Sequence, residues 1–375
     1  MEIKTTAVSA NRLTARENVQ FLQEGDIIVP DNKPDIEKIL RTSGNVVIDS
    51  TNIADGRLNY RGHIALDCLY LSKGENKKLH TMSKDIEIND FIAISGIEEN
   101  MSPKLKCTIE NIDTGILNER KINYKISGNA FADVNEVVEI NAVSSIDDLS
   151  ENQQKLTTIK TTKNICSKTE KINIKEEVAI PPTKLPIDEI ISIEPTLLNT
   201  EAVPSQDSVK ISGDITASML YTSNESSVPE VFDIDIPFDG MIETEDVEPN
   251  MEINTDLTIT DFYYDVSEDE NGENRIVNLE FVINACIEAY ATQENEILED
   301  AYSVNNNITM ENETLCYDRE VCRNKSQCPV KDMVSIDNDC PAMLQIIKAV
   351  GTPYIDVISI FDNKVVIDGV INVSI

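Results

Sequence analysis

Two histidines, eight cysteines and one acidic octet are the places where this sequence could hold specific chemistry. An imidazole can act as a base or metal ligand near neutral pH, provided a carboxylate or nucleophile stands beside it. His63 lies in "RGHIALDCLY" and His80 in the polar stretch "KGENKKLH", and neither has such a neighbour in sequence. The octet "SEDENGEN", Ser267 to Asn274, places Asp269, Asn271 and Gly272 in the register of a calcium loop. Ser267 stands at the first ligand position, however, and Asn278 where a bidentate Glu should be. An Asn-Gly pair between two alternating runs is a hairpin turn, and the shorter "DTGILN" is expected at that place earlier in the chain. Phosphate-binding loops, nucleophile elbows, dinucleotide fingerprints and zinc-protease motifs are all missing. No catalytic, cofactor-binding or metal-ligating residue is assigned, and an enzyme is not expected.

The elements that would position such residues emerge when the chain is compared with itself. Val29–Tyr70, "VPDNKPDIEKILRTSGNVVIDSTNIADGRLNYRGHIALDCLY", is answered by Ile180–Tyr221 and again by Ile336–Ile375. Marker prolines Pro34, Pro186 and Pro341 stand 152 and 155 residues apart. The marker glycines Gly62, Gly213 and Gly369 follow them after 28, 27 and 28 residues. Tyr70 and Tyr221 each stand 8 residues beyond their glycine. The later part of the unit recurs more faintly, with Asn129-Ala130 opposite Asn284-Ala285. The sequence reads as an N-terminal arm (1–16), a first module (17–165), a second (166–320) and a partial third (321–375). Within 1–375 the third repeat stops before its midpoint, so either a neighbouring chain supplies the missing strands or the polypeptide continues.

Alignment of the repeats sorts the candidates. His63 falls where the other copies have Asp214 and Val370, which excludes a chemistry common to all three. Cys68, Cys107 and Cys286 align with Met219, Leu257 and Phe131 and read as buried core thiols. Cys166, Cys316, Cys322, Cys328 and Cys340 lie in or near the joints between modules. The even spacing of 316, 322 and 328 would place three thiols on one face of a strand, with no C-x-x-C zinc pattern. Cys316, Cys322, Cys328 and Cys340 are therefore candidates for covalent cross-linking between chains in an oxidising setting.

Each marker proline suits the first turn of a short helix. Apolar residues then fall at i, i+3 and i+4: Ile36, Ile39 and Leu40, then Ile187, Ile190 and Ile191, then Met343, Ile346 and Ile347. Gly44, Pro195 and Gly351 would stop these helices. Period-two runs such as "HIALDCLY", "DITASMLY" and "RIVNLEFVINA" follow and read as strands. The expected fold is mostly β: tandem antiparallel β-sandwich or barrel-like modules, each with one short helix.

Composition narrows the partners. The 375 residues carry 32 Lys and Arg against 67 Asp and Glu, a formal net charge of −35. Nucleic acid and anionic lipid would be repelled by that surface. No apolar run approaches the roughly 18 residues of a membrane helix, and "MEIKTTAVSANRLTAREN" has no signal-peptide core. A cytoplasmic origin is expected, with no nucleic acid, no membrane insertion and no cofactor.

The recurring strand, the "VP", "IP" or "ID" pair and the "G-x-I-x-x-x-x-L-Y" string resemble the SPOCS module. So does "EDAYSVNNNITMENE", Glu299 to Glu313, as the module's closing strand and exit. This module occurs in tandem in sporulation proteins of Firmicutes. The resemblance implies a scaffold at the developing spore surface, made in the mother cell and recruited to the forespore. Its partners would be other spore-envelope proteins or copies of itself, in an oligomer or polymer. Coat-assembly relatives carry three modules and a LysM domain, whereas here the third is partial and no LysM is present, so docking through LysM is not carried over. The expected function is non-enzymatic assembly of the spore coat or exosporium. The alternatives are a fibre or lattice built by strand complementation, and a cation- or glycan-binding β module supported only by the acidic surface.

Overall fold

The computed structural model describes residues 2–74, 77–147, 152–304, 307–314, 316–318, 326, 328–333, 335, 346–347 and 349–375. Fourteen strands account for its regular structure, and no helix occurs among the described residues. Six belong to the first module: β1 (Glu2–Ile28), β2 (Ile36–Ala54), β3 (Arg57–Ser72), β4 (Leu79–Ala93), β5 (Ser102–Asn118) and β6 (Lys121–Asp147). Six form the second: β7 (Asn152–Ala179), β8 (Glu189–Ser205), β9 (Ser208–Ser223), β10 (Ser226–Glu243), β11 (Glu252–Glu268) and β12 (Asn274–Ser303). The last two, β13 (Val350–Phe361) and β14 (Lys364–Ser374), make a hairpin of their own.

Each module packs two three-stranded antiparallel sheets face to face. In the first, the order β2-β3-β4 faces β1-β6-β5; in the second, β8-β9-β10 faces β7-β12-β11. The period-two alternation is what drives this. On β3, Leu58, Tyr60, Ile64, Leu66, Cys68 and Tyr70 all point inward and are buried. They share one core with Ile122, Ile126 and Val134 of β6, and β9 meets β12 in the same way. At one side β2 and β5 approach edge to edge, so that a Cβ on Gly44 would stand 3.1 Å from Ile109 and Ile112. Each module is thus a sandwich partly closed at one corner.

The expected helices are strands. β-Bulges at Ile36/Lys38 and Ile39/Arg41 reset the inward face of β2, and one at Ile190/Ser192 does so in β8. An extra residue at a bulge changes the spacing of inward side chains locally. Here it turns an alternation of two into spacings that mimic a helical stripe. Gly44, Pro195 and Gly351, read as helix stops, lie inside β2, β8 and β13. The third helix, around Pro341 and Met343, falls outside the described residues, and Ile346 and Ile347 have no regular structure.

A bulge also explains the marker glycines. Gly62 pairs with Ile48 beside the shift at Ile48/Ser50, and Gly369 pairs with Ile355 beside the shift at Ile355/Val357. Gly213 sits opposite the shift between Leu198 and Glu201. The bent partner strand passes so close that a Cβ on Gly62 would lie 2.1 Å from the Val47 carbonyl oxygen. At Gly369 the distance to the Tyr354 oxygen would be 2.2 Å.

The two modules are tied together. Residues 2–13 of β1 pair with the far half of β6, and residues 152–164 of β7 with the far half of β12, as two long ribbons. Where they meet, Val8, Ser9, Ala10, Thr161 and Thr162 are buried. Gln154 clamps the joint, its amide bonding both the N–H and the carbonyl of Ile146 at 3.0 and 2.9 Å. Further along, Arg41 pairs with Glu194 at 2.8 Å and the Thr81 hydroxyl donates to the Ile191 carbonyl.

Candidate interaction surface

The turn leading into the first repeated strand is the most heavily bonded loop in each module. In "VPDNKP" the Arg120 guanidinium donates to the carbonyls of Val29, Pro30 and Lys33 and to the Asp35 carboxylate, at 2.8–3.1 Å. In "IPPTKLP" Arg275 donates to the carbonyls of Pro181 and Lys184 at 3.3 and 2.8 Å. The marker tyrosines complete the lock: Tyr70 donates to the Pro34 carbonyl and Tyr221 to the Leu185 carbonyl, both at 3.0 Å. Burial pushes the Tyr70 hydroxyl up to about 12. These four residues hold the turn in place. The arginines were legible only as a pair 155 residues apart, the spacing already seen between Asn129 and Asn284.

The histidines are separated. His63 lies half-buried on β3, its Nδ1 3.8 Å from Asp49. His80 sits at the junction of the modules, 3.4 Å from Glu189 and beside the Tyr70 ring. In the octet, the Asp269 carboxylate accepts from the backbone N–H groups of Asn271 and Glu273 at 2.8 and 3.0 Å. Gly272 adopts φ +76°. The octet is therefore a hairpin turn between β11 and β12, and those N–H bonds hold Asp269 below the usual carboxylate range. In the first module the corresponding turn is Glu119-Arg120, because "DTGILN" lies inside β5. No group of three or more His, Cys, Asp or Glu gathers as a metal site among the described residues.

The cysteines divide differently from the expectation. Cys68 is buried and Cys107 packs half-buried on the same core, burial pushing both thiols up to about 11. Cys286 is not a core thiol. Its neighbours Ala285 and Ile287 point inward, so Cys286 faces out, 3.2 Å from the Thr169 hydroxyl. Cys166 lies on β7, half-buried against the second core. Cys316 and Cys328 are exposed in stretches without regular structure rather than on a strand face, and Cys322 and Cys340 lie outside the described residues. An open groove of about 560 Å³ between the modules is lined by Arg16, Lys104, Lys106, Phe131, Asp133 and Asp256. Two of its three cations are paired, Arg16 with Asp133 and Lys104 with Glu288.

The outstanding surface is the last hairpin. Aligned on the marker glycine, Val365, Ile367, Ile371 and Val373 of β14 correspond to Leu58, Tyr60, Ile64 and Leu66 of β3 and to Val209, Ile211, Ile215 and Ala217 of β9. The eight residues on β3 and β9 are at most 3% exposed, whereas the four on β14 are 46–60% exposed. Ile375, the counterpart of Cys68 and Met219, is exposed too. Among the described residues β14 pairs with β13 alone.

The family model of the SipL SPOCS domain matches residues 35–117 and again 186–267. Each of the two complete modules carries a SPOCS domain. The matched spans run from β2 to β5 and from β8 to β11, so they take in Gly62 and Gly213 and both marker tyrosines. The long strands β1, β6, β7 and β12, which build the opposing sheets, lie outside them. No curated protein and no solved structure matches this chain. The SPOCS assignment makes it a protein of the sporulation class. No helix among the described residues is long and apolar enough to cross a membrane.

Proposed function

We propose that this SPOCS protein is a non-enzymatic structural and assembly component of the spore envelope, coat or exosporium, working through protein–protein contacts. The observation that carries the reading is β14, a strand with the inward residues of β3 and β9 and, among the described residues, no second layer over them. A contiguous apolar face left open on a folded chain marks a contact site for another protein. Fully burying a Val or Ile side chain yields about 1.5–3 kcal/mol. Five half-exposed ones therefore supply about 4–8 kcal/mol, close to the roughly 4–15 kcal/mol lost on association. Side-chain burial alone is marginal, so the free edge of β14 must also be used, through backbone hydrogen bonds to an added strand. Other envelope proteins or copies of this chain are the partners, and the chain passes from the mother-cell cytoplasm to the spore surface. Exposed Cys316 and Cys328 suit later cross-linking there, together with Cys322 and Cys340.

A second reading, a fibre or lattice built by strand complementation, is favoured by the same unpaired edge. A fluorescent fusion in sporulating cells tests the main proposal. The full chain is expected at the forespore surface, and a variant lacking 350–375 is expected to stay diffuse in the mother cell. A diffuse full chain, or a deletion variant that still localises, overturns it.

A further inference from the structure

Tyr317 and Asp318 lie between β12 and β13 and belong to no strand, yet they bond to both complete modules. The Asp318 N–H donates to the Asn11 carbonyl at 2.9 Å, and the Asp318 carboxylate accepts from the Leu13 N–H at 2.6 Å. One residue earlier, the Tyr317 hydroxyl donates to the Lys160 carbonyl at 3.2 Å. Asn11 and Leu13 stand on β1 of the first module, Lys160 on β7 of the second. Both strands end their sheets among the described residues. Residues two apart on a strand turn their backbone groups to the same edge. The Asn11 carbonyl and the Leu13 N–H therefore share the edge of β1 that faces away from β6. Beside them β1 bulges between Leu13 and Ala15, and Thr14 has no counterpart on β6.

A neighbouring strand would satisfy such an edge with the N–H of one residue and the carbonyl of another. Asp318 does both alone, with its own N–H and its carboxylate, so it occupies the edge without prolonging the ladder. A bond from a backbone N–H to a carboxylate is also stronger than one to a neutral carbonyl. Arg16 lies close enough to be stabilised by the Asp318 charge, while Asp133 holds it by two bonds at 2.7 Å. The contacts flank the buried seam of the joint: Asn11 directly follows Val8–Ala10, and Lys160 directly precedes Thr161 and Thr162. Across the same seam Gln154 bonds to Ile146, and Lys163 stands 3.9 Å from Glu139. That last pair is solvent-exposed and adds little.

We infer that Tyr317–Asp318 is a clasp across the joint, fastening β1 to β7 so that the two complete modules move as one body. The stretch that leads from β12 towards the last hairpin is thereby part of the hinge between the modules. When the clasp opens, both ribbon edges are freed together, and the seam between them loosens. This device is independent of the docking role proposed for β14.

Amide hydrogen exchange on the full chain, resolved to single residues, tests it. Asp318 is exposed, so replacing it leaves both cores intact. In Asp318→Ala the Leu13 amide should exchange at least about tenfold faster, the signature of a local opening. The amides of 159–163 on β7 should quicken with it, although Asp318 bonds to none of them. Tyr317→Phe should give the reciprocal effect, speeding exchange at Leu13 by removing a bond made on Lys160. Asp318→Asn keeps a side-chain oxygen for the Leu13 N–H and should restore most of the protection at both places. Amides of 19–27, further along β1, should keep the rates of the parent chain in every variant. An unchanged Leu13 amide in Asp318→Ala overturns the inference. A change confined to Leu13, with 159–163 at the parent rate, also overturns it, because Asp318 is then only a local cap on β1. So does faster exchange spread evenly through 19–27, which would mark a general loss of stability instead of an opened joint.

Discussion

β3 and β14 carry the same word and live in opposite surroundings. Both run through a marker glycine beside a bulged partner, and both place large aliphatic side chains on one face. Those of β3 are enclosed by β6 from across the sandwich and flanked by β4, whereas β14 has, among the described residues, only β13 beside it. The comparison teaches that alternation sets which face of a strand is apolar, and a second sheet decides whether that face is buried. An identical pattern can be a core or a contact surface.

Charged substitutions should break the comparison most sharply. Ile64→Asp or Ile215→Asp places a carboxylate inside a closed core and should cost at least about 3–5 kcal/mol, enough to unfold the module. Ile371→Asp, at the equivalent site of β14, should leave the module transitions in urea unchanged while abolishing localisation. Next come the glycines. Gly62→Ala forces a methyl against the Val47 carbonyl, and a loss of about 1–3 kcal/mol is expected. Gly213→Ala, whose Cβ would lie 2.9 Å from the Phe238 ring and 3.1 Å from the Leu198 oxygen, should cost less. Gly369→Ala meets an obstruction like that at Gly62, yet should leave both module transitions where they are. Denaturant midpoints for the three variants check this order.

Smaller effects sharpen the account of the turn lock. Tyr70→Phe and Tyr221→Phe each remove one hydrogen bond to a backbone carbonyl, and each should cost about 1–2 kcal/mol. Tyr70 also gives a pH signature. Burial holds its hydroxyl protonated in the folded state up to about 12, while an unfolded tyrosine ionises near 10. Its contribution is therefore complete below pH 10 and declines as pH rises from 10 through 12. Tyr70→Phe should flatten that decline in alkaline urea titrations. The smallest change is kinetic: an alkylating reagent at pH 8 should label Cys316 and Cys328 quickly and leave buried Cys68 untouched in the folded chain.

The strands and their inward faces were readable because side chains alternate with period two, and "HIALDCLY" does so without interruption. The short helices were misread for a physical reason. The bulge at Ile36/Lys38 brings Ile36 and Ile39 to the core three residues apart, as a helix would, while Leu40, at the next bulge, is exposed, and sequence carries no mark of a bulge. Cys286 was placed in the core because it aligns with Phe131, but Phe131 itself is exposed. An apolar residue type is not evidence of burial. The joint between modules was invisible, since the ribbons around Ile146 and Gln154 form through pairings such as Ile3 with Ile146 and Gln154 with Ala301, far apart along the chain. The open face of β14 was legible only as an interrupted repeat, because exposure depends on what packs over a strand and not on its own residues.

The glycine at the bulge has a consequence for how such a chain can diversify. Each copy of the module is free to exchange His63 for Asp214 or Val370 at the very next position, because that side chain points outward. At the glycine the neighbouring strand refuses a side chain, tightly at Gly62 and Gly369 and more loosely at Gly213. Duplicated modules can therefore drift apart almost everywhere while staying anchored at one point. A family that changes partners on this scaffold would do so by rewriting the residues on either side of a fixed gap.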